Sequence, residues 1–340
     1  MFASLQRIRP RPFACAVFAL GALACAFSAR AVEPTAAAGA SLREVGRIEL
    51  AGVRGRIDHL AVDLEGQRLF VAALGADEVE VIDLRAGRRI ARLVGLSEPQ
   101  GVVYVPSLRR LFVAAGASGE VVAFEGDRRV GVVPDLPDAD NMRFHPPTGH
   151  VVVGYGHGLA VIDPATLAVV RRIALPGHPE AFELAERGPA IYVNVPEVGR
   201  LVVVDRERGK VTSDWRLDAV ASNYPMALDE QSHRLAIGTR RPSRVLTYDT
   251  GSGRLLASSP ACGDIDDLFF AGDGTRLLAV CGEGAVELMA GGAATGGAVR
   301  RIETSGGART GLFVPSTRTL FVAVPAGSTS AAQVRVFRVD

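Results

Sequence analysis

The chain has 340 residues, a formal net charge of +1 and a hydrophobic fraction of 48%. Its 38 Lys and Arg and 37 Asp and Glu are mixed along the chain with no basic stripe, so composition excludes an electrostatic case for a nucleic-acid partner. Past the N-terminal segment no stretch is long and apolar enough to span a bilayer, so no membrane span is expected in the mature chain.

Residues 1–31 read as a secretory signal. Arg7, Arg9 and Arg11 form a positive n-region, Phe13 to Phe27 an apolar h-region, and Ala29 to Ala31 a small-residue cleavage pattern. An uncleaved anchor is the alternative. The mature start is expected near Val32, with a periplasmic or secreted, monomeric product. Residues 32–41 are small, polar and unpatterned, as in a flexible lead-in. Cys15 and Cys25 leave with the signal, so Cys262 and Cys281 remain, an even number in an exported chain.

From residue 42 onward the chain repeats itself. "RLFVAA" occurs at Arg68 and again at Arg110. Related stretches begin at His150, Ala190, Arg234, Arg276 and Thr319. The third residues of these seven matches, Phe70, Phe112, Val152, Tyr192, Ala236, Leu278 and Phe321, are spaced 40 to 44 residues apart. Each copy holds four strand-like runs, here a to d. In the first they are 59–63, 68–74, 78–84 and 88–95, separated by Gly/Asp turns. Seven copies of four antiparallel strands predict an all-β, seven-bladed β-propeller over 42–340. The last copy supplies a, b and c and then ends. "LREVGRIEL", Leu42 to Leu50, is an extra strand before the first copy and is expected to close the last blade.

Aligning the copies on strand b exposes three polar columns near the start of strand a, the innermost strand of a blade. Asp58, Gln100, Asp140, Glu180, Tyr224, Asp266 and Arg309 form the first. One residue later stand His59, Gly101, Asn141, Ala181, Pro225, Asp267 and Thr310. Two residues before the first column stand Arg56, Glu98, Asp138, His178, Ser222, Asp264 and Gly307. A purely structural residue should recur in every blade. These positions differ between blades, as one asymmetric site on the ring axis requires. A small molecule or protein is therefore expected at the channel mouth, met by Asp58, His59, Gln100, Asp140, Asn141, His178, Glu180, Tyr224, Asp266, Asp267 and Arg309. A solvated mouth, with Asp and Asn capping strand starts, is the plain alternative. Oxygen donors would suit Ca²⁺ or Mg²⁺, and His59 and His178 with a carboxylate would suit zinc. No diagnostic ligand spacing is present, so neither metal nor cofactor is assigned.

Cys262 is read as ending a d strand and Cys281 as ending strand b of the next copy, on the face that carries the columns. A disulfide is expected; a redox pair or two buried thiols are the alternatives. "GYGHG" (Gly154 to Gly158) and "TRRPSR" (Thr239 to Arg244) read as b–c loops. Without a following helix the first is no phosphate loop. Arg240 and Arg241 read as solvated, with attraction of an anionic ligand as the alternative. His145, His150 and His233 are expected on the surface of the opposite face, and Trp215 on the outer rim. No Gly-x-Ser-x-Gly, His-Glu-x-x-His or Cys-x-x-Cys-His occurs.

"GLAVIDPATLAVVRRI" (Gly158 to Ile173) and "AIYVNV" with "LVVVDRERGKV" (Leu201 to Val211) resemble the YVTN-type repeat of bacterial propellers. The resemblance covers the mature chain and implies the propeller fold. Relatives of this broad class include amine-dehydrogenase-like propellers and seven-bladed lactonases. Most copies here depart from "YVTN", with "FVAA" in its place at Phe70 and Phe112, so activity does not carry over. The function expected is non-catalytic binding at the mouth. The alternative is a lactonase-type hydrolase or a quinone-cofactor-related enzyme using the same mouth, and a third reading is a protein scaffold.

Overall fold

The computed structural model describes residues 41–217, 220–272, 274–290 and 299–340. The expected signal, 1–31, and the lead-in up to residue 40 lie outside the described residues. Among those described, 28 strands form seven four-stranded antiparallel sheets, the blades of a propeller. Blade 1 runs Leu60–Asp63, Arg68–Ala73, Glu78–Asp83 and Arg88–Leu93 as strands a to d. Six blades take four consecutive strands. Blade 7 takes Gly311–Val314, Thr319–Val324 and Ala332–Val339, and its outer strand is Leu42–Leu50 from the other end of the chain.

The b strands are apolar at successive positions because both faces of a blade are covered. In blade 1, Leu69, Val71 and Ala73 point to blade 7 and share a core with Phe321, Ala323 and Val334. Phe70 and Ala72 point the other way, into a core with Val102, Val113 and Val122 of blade 2. Alternation along one strand thus feeds two inter-blade cores. The d strands form the rim, where Ile90 and Val211 are 47% and 43% exposed. Trp215 lies there, its ring 5.8 Å from Tyr248 and 6.0 Å from Tyr192.

Closure rests on pairing Leu42–Leu50 with Ala332–Val339, from Leu42 opposite Val339 to Leu50 opposite Ala332, with one register shift between Glu44 and Gly46. Asp340 N–H donates to Ser41 O at 2.9 Å, and Arg335 pairs with Glu44 across the seam.

His145 corrects the surface reading. It is 1% exposed, with Nδ1 2.8 Å from Thr148 Oγ1 and Nε2 3.1 Å from Ala185 O. Its ring ties blade 3 to blade 4, a role the turn position alone does not reveal. Cys262 and Cys281 form a disulfide with Cα atoms 5.9 Å apart.

Closure gives a contrast on one strand. Leu50 is fully buried and Val45 is 50% exposed. Leu50→Ala is expected to cost about 2–5 kcal/mol in denaturant unfolding, whereas Val45→Ala should stay within about 0.5 kcal/mol. Equal effects would show that the closing strand is not packed into the ring.

Candidate functional site: the channel mouth and throat

In blades 1, 3 and 4 the start of the inner strand is held by a recurring pair of backbone hydrogen bonds to strand b. In blade 3, Asp140 N–H donates to Gly154 O and Gly154 N–H to Asn141 O, both at 2.9 Å. Blade 1 repeats this with Asp58, Ala72 and His59, and blade 4 with Glu180, Asn194 and Ala181. The first column is thereby fixed at one height in blades 1, 3 and 4. In blades 2, 5 and 6 the register slips between Pro99 and Val102, between Asn223 and Met226, and between Ile265 and Asp267. Gln100, Tyr224 and Asp266 fall in these irregularities, which re-aim side chains. Glu98, Asp138, Ser222 and Asp264 of the third column take φ between 52° and 61°. Short polar side chains tolerate that left-handed turn, which accounts for part of the column's composition.

The result is a cavity of about 640 Å³ at one end of the channel. Of the expected residues, Gln100, Asp140, His178, Glu180, Tyr224, Asp266 and Arg309 line it, joined by Arg56, Asp138, Glu197, Ser222 and Arg240. Asp58 does not line it. It is 1% exposed, with Oδ2 2.8 Å from Arg56 Nη2. The second column also leaves the mouth. His59 and Asp267 line a separate chamber of about 300 Å³, and Asn141 is buried with Oδ1 accepting from Arg143 Nη1. The single site expected from the columns is therefore two: a polar mouth and a deeper throat. Successive strand residues point in opposite directions, so adjacent columns need not share a surface.

Arg240 corrects the solvated reading. It lies 4.0 Å over the Tyr224 ring, with Nε 3.2 Å from Asp264 Oδ1 and Nη2 bonded to Asp266 Oδ1. Arg309 Nη2 is 2.9 Å from the other oxygen of Asp264. The disulfide flanks this network, since Asp264 and Asp266 follow Cys262 directly and Ile265 pairs with Cys281. Gln100 lies over Gly116, where a Cβ would stand 2.3 Å from its Nε2.

On the other side of the mouth, His178 Nδ1 is 2.9 Å from Gly156 O and 3.3 Å from Asp138 Oδ2, and Nε2 is 3.8 Å from Asp140 Oδ2. Asp140, with Asp138 and Glu180, raises its pKa to about 9 against its burial. Glu180 stands apart: among the described residues its carboxylate has no hydrogen-bond or ion-pair partner. Burial, then the charge of Asp140, pushes it up to about 7. Burial likewise raises Asp58, to about 7, and Asp266, with Arg56 and Arg240 respectively opposing. Among the described residues no group of three or more His, Cys, Asp or Glu is placed to hold a metal ion.

The throat is walled by inner strands of six blades, and about half of its lining is apolar, with Leu60, Val62, Met142, Phe144, Phe269 and Leu312. Its polar groups are His59, Tyr104, Arg143, Glu183 and Asp267. Arg143 Nη2 is 3.6 Å from Glu183 Oε1. Asp267 Oδ2 accepts from Gly311 N–H at 2.7 Å. Sequence reasoning missed Arg143 and Glu183, because they sit inside the strands and not at their starts.

No family model and no curated protein matches the chain. Among solved structures it is similar to Kuenenia stuttgartiensis hydrazine synthase, at 14% identity and a TM-score of 0.73, over 82% of this chain and 94% of that one. At that identity the likeness concerns the fold alone.

Two expected outcomes test the site. Glu180 binds its proton more tightly in the folded protein than at its ordinary 4.5, so its ionisation lowers stability as pH rises from 4.5 to about 7. The Tm of Glu180→Gln relative to the unmodified protein should therefore increase across that window and level off above it. His178 acts later: its contribution is full below 6.5 and is lost as pH rises through about 9. A flat Tm difference for Glu180→Gln would show a solvated carboxylate. Separately, replacing both Cys262 and Cys281 by Ser should cost about 3 kcal/mol in chemical unfolding. No loss would show that the bridge does not constrain the chain.

Proposed function

We propose that this chain is an exported propeller of YVTN-like type that binds a small polar molecule at its channel mouth without turning it over. The observation that carries this reading is Glu180. In a cavity whose arginines are each paired with an aspartate, the half-buried Glu180 carboxylate has no partner among the described residues, and burial with the charge of Asp140 pushes it up to about 7. A carboxylate held against its charge in this way favours a donor or cation on a ligand over plain solvent. Export is supported by the charged and apolar pattern of residues 1–31 and by the Cys262–Cys281 disulfide.

One observation favours a hydrolase as the second reading. Glu180, titrating near 7, and His178, near 9, line the same cavity, a pairing suited to general acid–base work.

Calorimetry with a panel of lactones, amino acids, dicarboxylates and amines separates the readings. At least one compound should bind saturably and lose about tenfold or more in affinity in Glu180→Gln and in Arg240→Ala, with His233→Ala unaffected. Failure of every compound to show Glu180-dependent binding would overturn the proposal. Lactone hydrolysis abolished by Glu180→Gln, with folding intact, would replace it by the hydrolase.

A further inference from the structure

The throat has the attributes of a binding site in its own right. Its volume, about 300 Å³, is at the lower end of small-molecule pockets, and its wall joins an apolar side, with Leu60, Phe144, Phe269 and Leu312, to a few convergent polar groups. Arg143 is already engaged, by Glu183, by Asn141 Oδ1 and by Met142 O. Asp267 is engaged only by one backbone N–H, and among the described residues no cation stands within 4 Å of it. His59, close to Asp58 at 3.8 Å, is held neutral by burial, which lowers its pKa. One Arg faces two carboxyls, Glu183 and Asp267, and burial pushes both up, so among the described residues the chamber holds no cation to offset a second ionised carboxylate.

We propose that the throat is a second binding site, for a small apolar molecule carrying one cationic nitrogen, with Asp267 meeting the charge and the apolar wall enclosing the body. Burial pushes the Asp267 carboxyl well above the usual carboxylate range, and a cationic nitrogen beside it would stabilise the ionised form that burial disfavours. This site is independent of the mouth. Glu180 takes no part in it.

Three compounds of one shape test the proposal: cyclohexylamine, cyclohexanol and cyclohexanecarboxylate, titrated at neutral pH by ligand-observed NMR. Cyclohexylamine should bind saturably in the millimolar range, the affinity a few heavy atoms can supply. The other two should bind at least about tenfold more weakly. Asp267→Asn and the cavity-filling Leu312→Phe should each weaken the amine by about tenfold or more, and Glu180→Gln should leave it within about twofold. If Asp267→Asn does not fold, Leu312→Phe and the compound series decide. Equal binding of amine and alcohol, preference for the carboxylate, or no saturation by the amine would overturn the assignment. So would amine binding that survives Asp267→Asn and is lost in Glu180→Gln, which would place the amine at the mouth.

Discussion

The pairing of Leu42–Leu50 with Ala332–Val339 is the constraint on which the rest depends. A blade buries each face only against a neighbour, so an open ring would leave two apolar faces in water. Closure also makes the axis. It brings Thr310 Oγ1 within 3.4 Å of Ile57 O, 253 residues away in the chain. The mouth and throat exist only because inner strands from different blades are forced to converge there.

At the mouth, convergence sets burial against charge. Seven carboxylates, Asp58, Asp138, Asp140, Glu180, Glu197, Asp264 and Asp266, gather around Arg56, Arg240 and Arg309. The arginines do not meet the carboxylates evenly. Asp264 and Asp266 hold two of them and Asp58 the third, while Asp140 and Asp138 share His178 and Glu180 is left over. The Tyr224 ring under Arg240 keeps that guanidinium on its own side of the cavity. An asymmetric distribution of charge on a near-symmetric ring follows from single-residue differences between blades, and it is the feature that separates this mouth from a uniform water-filled one.

The two chambers differ in kind although they lie one strand residue apart. Asp58 and His59, or Asp266 and Asp267, are chain neighbours, yet the second of each pair faces less polar surroundings than the first. The backbone pleat turns one toward the arginines and the next toward Leu60, Phe144 and Leu312. A ligand meeting Glu180 would be recognised by polar groups on many sides, whereas one meeting Asp267 would have hydrocarbon along one side and polar groups along the other.

By itself the sequence determined the repeat and therefore the propeller, the closing strand and the cysteine pair. These rest on local patterns: a period near 42 residues, apolar runs of strand length, turn residues between them, and an extra strand matching a missing one. It also brought forward most residues of the mouth, since polar variation in an otherwise repeating frame can be read by aligning the copies. Only the tertiary structure decided that Asp58 lies beneath the mouth, that His59 and Asp267 belong to a separate throat, that Arg240 folds inward over Tyr224, and that His145 is buried between blades. Those outcomes depend on side-chain direction, set by register slips and left-handed turns in one blade and by packing against the next. A linear pattern records which residues reach the axis; the direction each one faces is set by neighbours contributed from distant parts of the chain.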